Sequence, residues 1–315
     1  MAINLSIAIT TYNRWDLCYR ALRSIVGQNI DDVEVILVDD CSTKVMPSNV
    51  RDYIYKHGEI TYIRNDTNRG LAYSRNVAIS IAKGRYFSFC DDDDYWPNGL
   101  IDGLFADALS TPIMPDVVLI MPYKKKLQCP ELFEERLTLK EFMKQGFCPP
   151  VSSQIYRTEL LHEVEGYSEK IKSGVDHDLW IKLAVINPKV DIHWGDGAVV
   201  GNDISIKRLT TNEEHRVKNI QHSLDIWKPL IVKTFGSDFY NYFYESYMDY
   251  LKYKFFKLDI VSNRFYSALK RLKSIRMVRI LLTSITNSVF KKGRCTLFPS
   301  YYSSTKDIYF QQWKK

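Results

Sequence analysis

The feature that most constrains the fold of this chain is an alternation, over its first 120 residues, of short apolar runs with segments of helical periodicity. The helical pattern is clearest at 15–26 and at 69–84, where apolar residues recur every three or four positions and the second segment ends at Gly84. Apolar runs that predict strands lie beside them, at 5–10, 33–40, 60–65 and 85–94. Because such alternation is typical of βα units, we predict an α/β fold with a doubly wound, mostly parallel sheet.

Polar clusters follow three of these predicted strands. The segment TTYNR ends the first strand, DDCS ends the second, and the aspartates of 91–94 end the fourth. Open α/β sheets bind their ligands just beyond the carboxyl ends of their strands. We therefore expect the functional site at this edge of the sheet, with side chains from all three segments.

The run of aspartates at 91–94 is the strongest local signal of chemistry. Adjacent carboxylates repel one another, and Mg²⁺ or Mn²⁺, which joins one or two carboxylates to substrate phosphates, would relieve that repulsion. A solvated acidic turn is the alternative, and the flanking segments YFSFC and YWP favour the metal site. The glycine-rich fingerprints of dinucleotide-binding and P-loop proteins do not occur, which disfavours a dehydrogenase and a P-loop enzyme.

Two further acidic segments each allow two interpretations. Asp39 and Asp40 close the second predicted strand, where an acid can accept from a ribose or a base, or can stabilise a turn. In DHDLW, Asp176 and Asp178 open a helical stretch after Gly174. Either acid can cap that helix, and the functional interpretation is a general base near an acceptor hydroxyl.

Taken in order, six segments resemble those of inverting glycosyltransferases of family 2, which have the nucleotide-sugar fold called GT-A. The resemblance covers residues 4–215, and its segments are SIAITTYNR, VILVDDCS, NRGLAYSRN, FCDDDD, GYSEKI and DHDLW. It implies a donor-binding half over 1–120 and an acceptor half over 121–220. The remaining residues, 221–315, form a helical, basic region in this interpretation.

The resemblance also implies roles for single residues in the donor half. Thr10 and Tyr12 match family residues that lie against the nucleotide. Asp40 matches the acid that accepts from the uracil ring. Asn68 and Arg75 match the residues that close the base pocket or brace its helix.

The metal site and the base follow from the same resemblance. Asp91 and Asp93 match the DxD motif, in which Asp93 would bind Mn²⁺ or Mg²⁺ at the diphosphate and Asp92 would lie near the ribose. Asp176 aligns with the second acid of the family's Glu-Asp pair, the usual catalytic base. The position of the Glu is Val175 here, so its support of the base is missing or comes from elsewhere. His215 is a candidate third metal ligand.

The function implied is inverting sugar transfer from a nucleotide sugar, a UDP-sugar above all, to a hydroxyl of a glycan acceptor. The acceptor would be linked to undecaprenyl diphosphate, in the biosynthesis of a bacterial surface polysaccharide such as O-antigen or capsule. A single displacement inverts the anomeric centre, so one base suffices. The alternative is a non-catalytic protein that binds a nucleotide sugar, or an adaptor that contacts a membrane or nucleic acid through its basic tail.

Charge is distributed unevenly along the chain. Residues 251–315 hold 15 Lys and Arg against two acidic residues, whereas the first 250 residues hold 28 Lys and Arg against 35 Asp and Glu. From Phe265 to Val289 apolar residues recur at helical spacing among the basic ones. This pattern favours a peripheral helix on an anionic membrane surface, and the alternative is a helix that packs on the catalytic domain through its apolar stripe with its cations solvated. No nucleic-acid partner is expected. The six cysteines show no paired spacing, which is typical of a cytoplasmic protein, here at the inner face of the cell membrane.

Overall fold

The structure is a computed structural model that describes residues 3–28, 31–109, 115–121, 138–144, 149–195, 198–199 and 213–261. The amphipathic helix predicted from Phe265 to Val289 lies outside these residues. So does most of the predicted basic region, of which only 221–261 is described.

A seven-stranded sheet forms the centre of the molecule, in the spatial order β3-β2-β1-β4-β6-β5-β7. Every strand pair is parallel except the two that β6 makes with its neighbours β4 and β5. The prediction of a mostly parallel sheet is thus confirmed. The strands are β1 (Leu5–Thr11), β2 (Val33–Asp39), β3 (Ile60–Arg64), β4 (Tyr86–Phe89), β5 (Val117–Met121), β6 (Gln154–Arg157) and β7 (Val190–Trp194).

Helices cover both faces of the sheet. Residues Phe105–Leu109 continue α4 as a single π-helical turn, and a short 3₁₀ turn, Val151–Ser153, precedes β6. The α-helices are α1 (Trp15–Val26), α2 (Ser48–Lys56), α3 (Leu71–Ile81), α4 (Leu100–Leu104), α5 (Leu139–Lys144), α6 (Thr158–Glu163), α7 (Val175–Ile186), α8 (Glu213–Phe235) and α9 (Ser237–Val261).

The alternation of side chains along the strands divides the core into two layers. In β1, Ile7 and Ile9 point to the layer that contains α1, α2 and α4, while Ala8 between them points to the opposite layer. The second layer contains α3, α6 and α7, and the C-terminal helices α8 and α9 pack into it. Strands β1, β2, β4 and β5 are therefore buried on both sides, which explains why their segments are largely apolar runs, whereas the edge strand β3 exposes three of its five residues.

Helix α3 ends at Ile81, three residues before the predicted end at Gly84. Ala82 is already extended, with φ −60° and ψ 133°. The backbone N–H of Lys83 donates to the buried Glu34 carboxylate (2.6 Å), and that of Gly84 donates to Ser6 Oγ (2.8 Å). These bonds to the sheet replace those of a further helical turn.

The predicted domain boundary at residue 220 falls within α8, which runs from Glu213 to Phe235. The tyrosine- and phenylalanine-rich segment 240–256 lies on α9. Tyr240, Tyr247 and Phe255 are buried in the same core as α7 and the sheet, so these three rings serve the core. Across the ranges the structure describes, no helix combines the length and apolar character that crossing a membrane requires.

Candidate active site

Three parallel strands bring the predicted polar clusters to one edge of the sheet. Thr11 at the end of β1 is paired with Asp39 at the end of β2, and β4 lies on the other side of β1. The segments that follow these strands therefore emerge side by side, as the sequence predicts. The candidate site lies here, and α7 adds a fourth segment to it.

Hydrogen bonds with Ser152 hold the acidic turn, residues 91–94, in place. The backbone N–H of Asp91 donates to Ser152 Oγ (3.0 Å), and that hydroxyl donates to the Asp94 carboxylate (2.6 Å). The indole of Trp96 donates to the Ser152 carbonyl (3.0 Å). Asp94 is therefore a buried structural acid, and its bond to Ser152 fixes the turn that carries Asp91 and Asp93.

Asp92 points inward and is held by β1 and the start of α1. Its carboxylate accepts from Thr11 Oγ1 (2.8 Å) and from two nitrogens of Arg14, of which Nε lies at 3.0 Å. A third nitrogen of Arg14 reaches Asp93 at 3.4 Å. Burial raises the pKa of Asp92 to about 7, against the lowering effects of Arg14 and Thr11. The predicted contact of Asp92 with a ribose stays a prediction.

Arg75 joins the acidic turn to α7. Its guanidinium donates to Asp91 (2.9 Å) and to Asp176 (2.6 Å), and its side chain is only 1% exposed. Desolvation raises the pKa of Asp91 to about 6, although Arg75 lowers it. The family resemblance placed Arg75 at the base pocket or on its helix; the structure shows its guanidinium between the predicted metal ligand and the predicted base.

Asp176 lies on the first turn of α7, as the sequence predicts, with 44% of its side chain exposed. Val175, at the position of the family's Glu, is buried in the core and offers no polar support. That support comes from Arg75, whose planar fork can hold a carboxylate while bonding a second one. Asp176 is thus exposed enough to meet a substrate and fixed enough to be aimed at it.

Both acids that end β2 stabilise loops. Asp40 accepts from the Asn65 amide (2.8 Å) and from the backbone N–H groups of Arg69 (2.9 Å) and Gly70 (2.8 Å). Asp39 is fully buried and accepts from Arg64 (2.6 Å). The contact of Asp40 with uracil stays a prediction, since these bonds account for its position without a ligand.

The other predicted site residues lie around the same edge. Thr10 is 9% exposed near the end of β1, Tyr12 follows it with 43% of its surface exposed, and Asn68 is exposed in the loop before α3. His215 lies on α8, where its ring is within 3.1 Å of the Asn219 amide. The structure places it in no cluster with Asp91 and Asp93.

The residues present fit a divalent cation that is completed by substrate. Among the described residues, no three His, Cys, Asp or Glu side chains converge to hold an ion by themselves. Mg²⁺ and Mn²⁺ commonly take one or two carboxylates and fill their other positions with water and phosphate oxygens. Asp91 and Asp93 suit this, because their side chains are 36% and 18% exposed on one turn.

Sequence reasoning missed Arg14 and Thr11. Both belong to the TTYNR segment that it singled out, and a cation two residues beyond Tyr12 was a usable signal. What the sequence could not show is the long-range pairing of Arg14 with Asp92, 78 residues further on.

The parallel sheet, the acidic turn at its ligand edge and the second carboxylate on α7 together define an α/β domain of the GT-A type. A model of the family described as glycosyl transferase family 2 matches residues 6–143, which include β1 to β5 and the acidic turn. The match covers 138 of the 315 residues, and over this part the chain is similar to glycosyl transferase family 2.

Curated relatives and solved structures agree with this assignment. The chain is 40% identical, over 94 residues, to the Escherichia coli UDP-Glc:alpha-D-GlcNAc-diphosphoundecaprenol beta-1,3-glucosyltransferase WfaP; this covers 29% of the chain and 36% of the relative. For two further curated relatives the chain spans 35% and 23% of their length.

Among solved structures, S. aureus TarS 1–349 in complex with UDP-GlcNAc has a TM-score of 0.59 at 19% identity, over 98% of this chain and 92% of that one. The Pyrobaculum calidifontis mannosyltransferase PcManGT in complex with GDP-Man and Mn²⁺ has a TM-score of 0.55 at 18% identity, over 98% and 88%. At these identities the likeness is one of fold.

Proposed function

We propose that this chain is an inverting, metal-dependent glycosyltransferase that moves a sugar from a nucleotide-sugar donor to a hydroxyl of a glycan acceptor. The observation that carries the proposal is the bridge that Arg75 makes between Asp91 and Asp176. It brings a carboxylate suited to a donor-bound metal next to a carboxylate suited to the acceptor. Both are needed within a few ångströms of one anomeric carbon.

Asp176 and the acidic turn would have different roles in catalysis because they lie at different positions. Asp176, exposed on α7, would accept the proton of the acceptor hydroxyl as that oxygen attacks the anomeric carbon. Asp91 and Asp93, on the acidic turn, would hold Mn²⁺ or Mg²⁺. Such a cation, when bound, supplies positive charge that stabilises the leaving diphosphate.

Arg75 and Arg14 would keep this geometry in place during the reaction. Arg75 orients Asp176 and shares its charge with Asp91, while Arg14 fixes Asp92 and reaches Asp93. One base and one displacement invert the anomeric configuration, so an α-linked donor gives a β-linked product. Asp40, Asn68, Thr10, Tyr12 and Asp92 remain our candidates for nucleotide contacts.

The substrates are proposed from the relatives. A UDP-sugar donor is favoured because TarS was solved with UDP-GlcNAc and because the name of WfaP specifies UDP-Glc. A lipid-linked acceptor is favoured because the name of WfaP specifies a diphosphoundecaprenol glycan. We therefore propose a step in the biosynthesis of a bacterial surface polysaccharide.

An acceptor on a lipid carrier would require the enzyme to work at a membrane surface. The excess of Lys and Arg in residues 251–315 is suited to anionic lipid headgroups. We propose that the protein acts in the cytoplasm, at the inner face of the cell membrane, and that this basic region makes the contact.

The test is UDP release from UDP-glucose, UDP-GlcNAc and UDP-galactose, each with Mn²⁺ and a GlcNAc-diphospholipid acceptor. We expect acceptor-dependent release with one donor and a β-linked product by NMR. Asp176→Asn should lower the rate by roughly 10²–10⁴-fold, the usual contribution of a general base, with UDP affinity unchanged. A wild-type chain that turns over none of the donors would favour the adaptor, and a fully active Asp176→Asn would remove the base assignment.

A further inference from the structure

The first turn of α7 has two faces with different neighbours. Asp176 faces Arg75 and the acidic turn. Gly174, His177 and Asp178 have the spacing i, i+3 and i+4, which places them together on the other side of the turn. All three contact α8, and Gly174 and His177 also approach α9; α7, α8 and α9 lie outside the part of the chain that the family model matches.

A single side chain, Trp227 of α8, contacts all three of these residues. Its indole N–H donates to the buried Asp178 carboxylate at 2.8 Å. Its ring lies 6.4 Å from the His177 ring, centroid to centroid. A Cβ at Gly174 would be 2.8 Å from its Cη2 atom, so the glycine and the indole are in close contact.

Two further contacts hold the entry to this turn. Ser223 Oγ of α8 donates to the Ser173 carbonyl at 2.8 Å. The second oxygen of Asp178 accepts from the backbone N–H of Ser168 at 2.7 Å, which ties the preceding loop to the same carboxylate. Asp178 therefore joins the loop, α7 and α8 at one buried point.

We propose that Trp227 is a positioning residue for the general base: its bond to Asp178 fixes the rotation of the first turn of α7 and thereby aims Asp176. This rests on the proposed function, in which Asp176 is the base. Val175 gives no support where the family has a Glu, and the helix pair α8–α9 supports the turn from the opposite side. A rotation of this turn would move the Asp176 carboxylate away from the acceptor oxygen, and small misplacements of a catalytic group are costly.

The test compares two matched variants of the full chain, Trp227→Phe and Trp180→Phe. Trp180 also lies on α7, is 1% exposed, and donates its indole N–H to Gln154 (2.8 Å) and Tyr156 (2.9 Å). Both variants keep an aromatic ring and lose a buried indole hydrogen bond. They differ in the partner of the indole N–H, which is Asp178 in the first turn of α7 for Trp227, and Gln154 and Tyr156 of β6 for Trp180.

Two readouts separate positioning from general stability. The first is the kcat and KM for the donor sugar that the wild type uses, with UDP affinity measured alongside. The second is hydrogen–deuterium exchange of residues 174–180, where the amides of His177 and Asp178 donate to the Gly174 carbonyl at 3.0 and 3.3 Å. We expect Trp227→Phe to lower kcat at least tenfold with KM and UDP affinity within twofold, and to speed exchange at these amides at least tenfold.

Trp180→Phe should lower the Tm about as much as Trp227→Phe does. It should leave kcat and the exchange of residues 174–180 within twofold of the wild type. The proposal is overturned if the two variants lose kcat in parallel, or if Trp227→Phe leaves the exchange of 174–180 unchanged. A failure of the proposed function is distinguishable, because it appears as an inert wild type before any variant is compared.

Discussion

At the residue scale, Arg75 is the side chain on which the candidate site depends most. Its guanidinium is buried at 1% exposure and bonds two acids that approach it from different segments, the acidic turn and α7. Burial of the guanidinium disfavours its charge, but Tyr167, Asp176 and Asp91 outweigh that effect and raise the pKa of Arg75. Arg75 therefore stays charged at neutral pH.

Replacing Arg75 by Lys should reduce turnover while keeping the charge. An ammonium lacks the planar fork that holds two carboxylates at once. A lost charge-assisted hydrogen bond costs about 1.5–3 kcal/mol, so we expect kcat/KM to fall roughly ten- to hundredfold, measured by UDP release.

The matched control for this variant is Arg157→Lys. Arg157 also forms ion pairs with two acids, Asp116 at 3.1 Å and Glu159 at 3.6 Å, but it ends β6, away from the acidic turn. Its replacement should leave kcat/KM within twofold of the wild type. Equal losses in both variants would show that Arg75 acts through stability alone.

The sequence indicated the segments that form most of the site, but it did not indicate the contacts between them. Asp91, Asp93 and Asp176 were identified from their runs and from the family resemblance, and the structure brings the first and last together on Arg75. The partners Thr11 and Arg14 of Asp92 were missed. Such contacts join residues about 80 positions apart, and no local pattern encodes them.

At the scale of elements, α7 begins after a glycine of positive φ, as α3 and α4 do, and its first turn is held by packing against α8. Gly174 adopts φ +79° and ψ 29°, a conformation that favours glycine, immediately before the first helical residue. No side chain caps this end; the turn is instead held by its packing against α8 and by the bonds of Asp178. The geometry of Asp176 thus depends on tertiary contacts.

Gly174→Ala should therefore destabilise the protein strongly. The added methyl would lie 2.8 Å from Trp227 and would be forced into positive φ. Backbone strain of this kind costs about 1–2 kcal/mol, and the overlap with a buried ring adds to it. Gly99→Ala is the control, because Gly99 has φ +80° and a methyl group added there would meet no atom within 4 Å. Chemical denaturation should show the larger loss for Gly174→Ala, and equal losses would contradict the close packing.

The packing of His177 predicts a dependence of stability on pH. The rings of Trp227, Phe243 and Tyr247 surround its imidazole, and desolvation lowers its pKa, against the opposing effect of Asp176. In the unfolded chain the group has a pKa of about 6.5. Below that pH the unfolded state binds a proton that the folded state refuses, so stability falls as the pH is lowered.

The measurement is the Tm of the wild type and of His177→Phe at pH 7.5 and pH 5.5. We expect the wild type to lose more stability on acidification than the variant, which has no proton to bind at this position. An identical loss in the two proteins would show that other groups account for the acid sensitivity.

At the scale of the whole molecule, the described C-terminal helices share one hydrophobic core with the sheet and α7. Trp227 and Ile231 of α8 and Tyr247 and Leu251 of α9 belong to the same buried cluster as Leu179 of α7. Sequence reasoning predicted helices here and placed a boundary near 220, because composition and charge change along this part of the chain. Composition does not report which apolar face a helix covers.

The first four strands of the sheet were predicted, and β5, β6 and β7 were missed. Strands β1 to β4 coincide with the apolar runs of the first 100 residues. Strand β6 has four residues and pairs antiparallel on both sides. Its sequence, QIYR, has no apolar run, unlike the equally short β4, YFSF, so its pairing with its neighbours makes it a strand.

Removing α9 should unfold the second layer of the core. A chain that ends after Phe235 lacks the buried residues Tyr240, Tyr247, Leu251 and Phe255. We expect it to lose its cooperative thermal transition in near-UV circular dichroism. A chain that ends after Val261 keeps every described residue and should retain the transition; a cooperative transition in the shorter chain would show that α9 is a separate unit.

The most direct test of the central claim, a metal-dependent nucleotide-sugar transferase, is calorimetric titration of UDP into the purified protein with Mn²⁺ and then with EDTA. The account predicts binding with Mn²⁺, loss of most of that binding in EDTA, and weakened Mn²⁺-dependent binding in Asp93→Ala. If neither UDP nor, in turn, GDP and dTDP binds with Mn²⁺ or with EDTA, the account is contradicted.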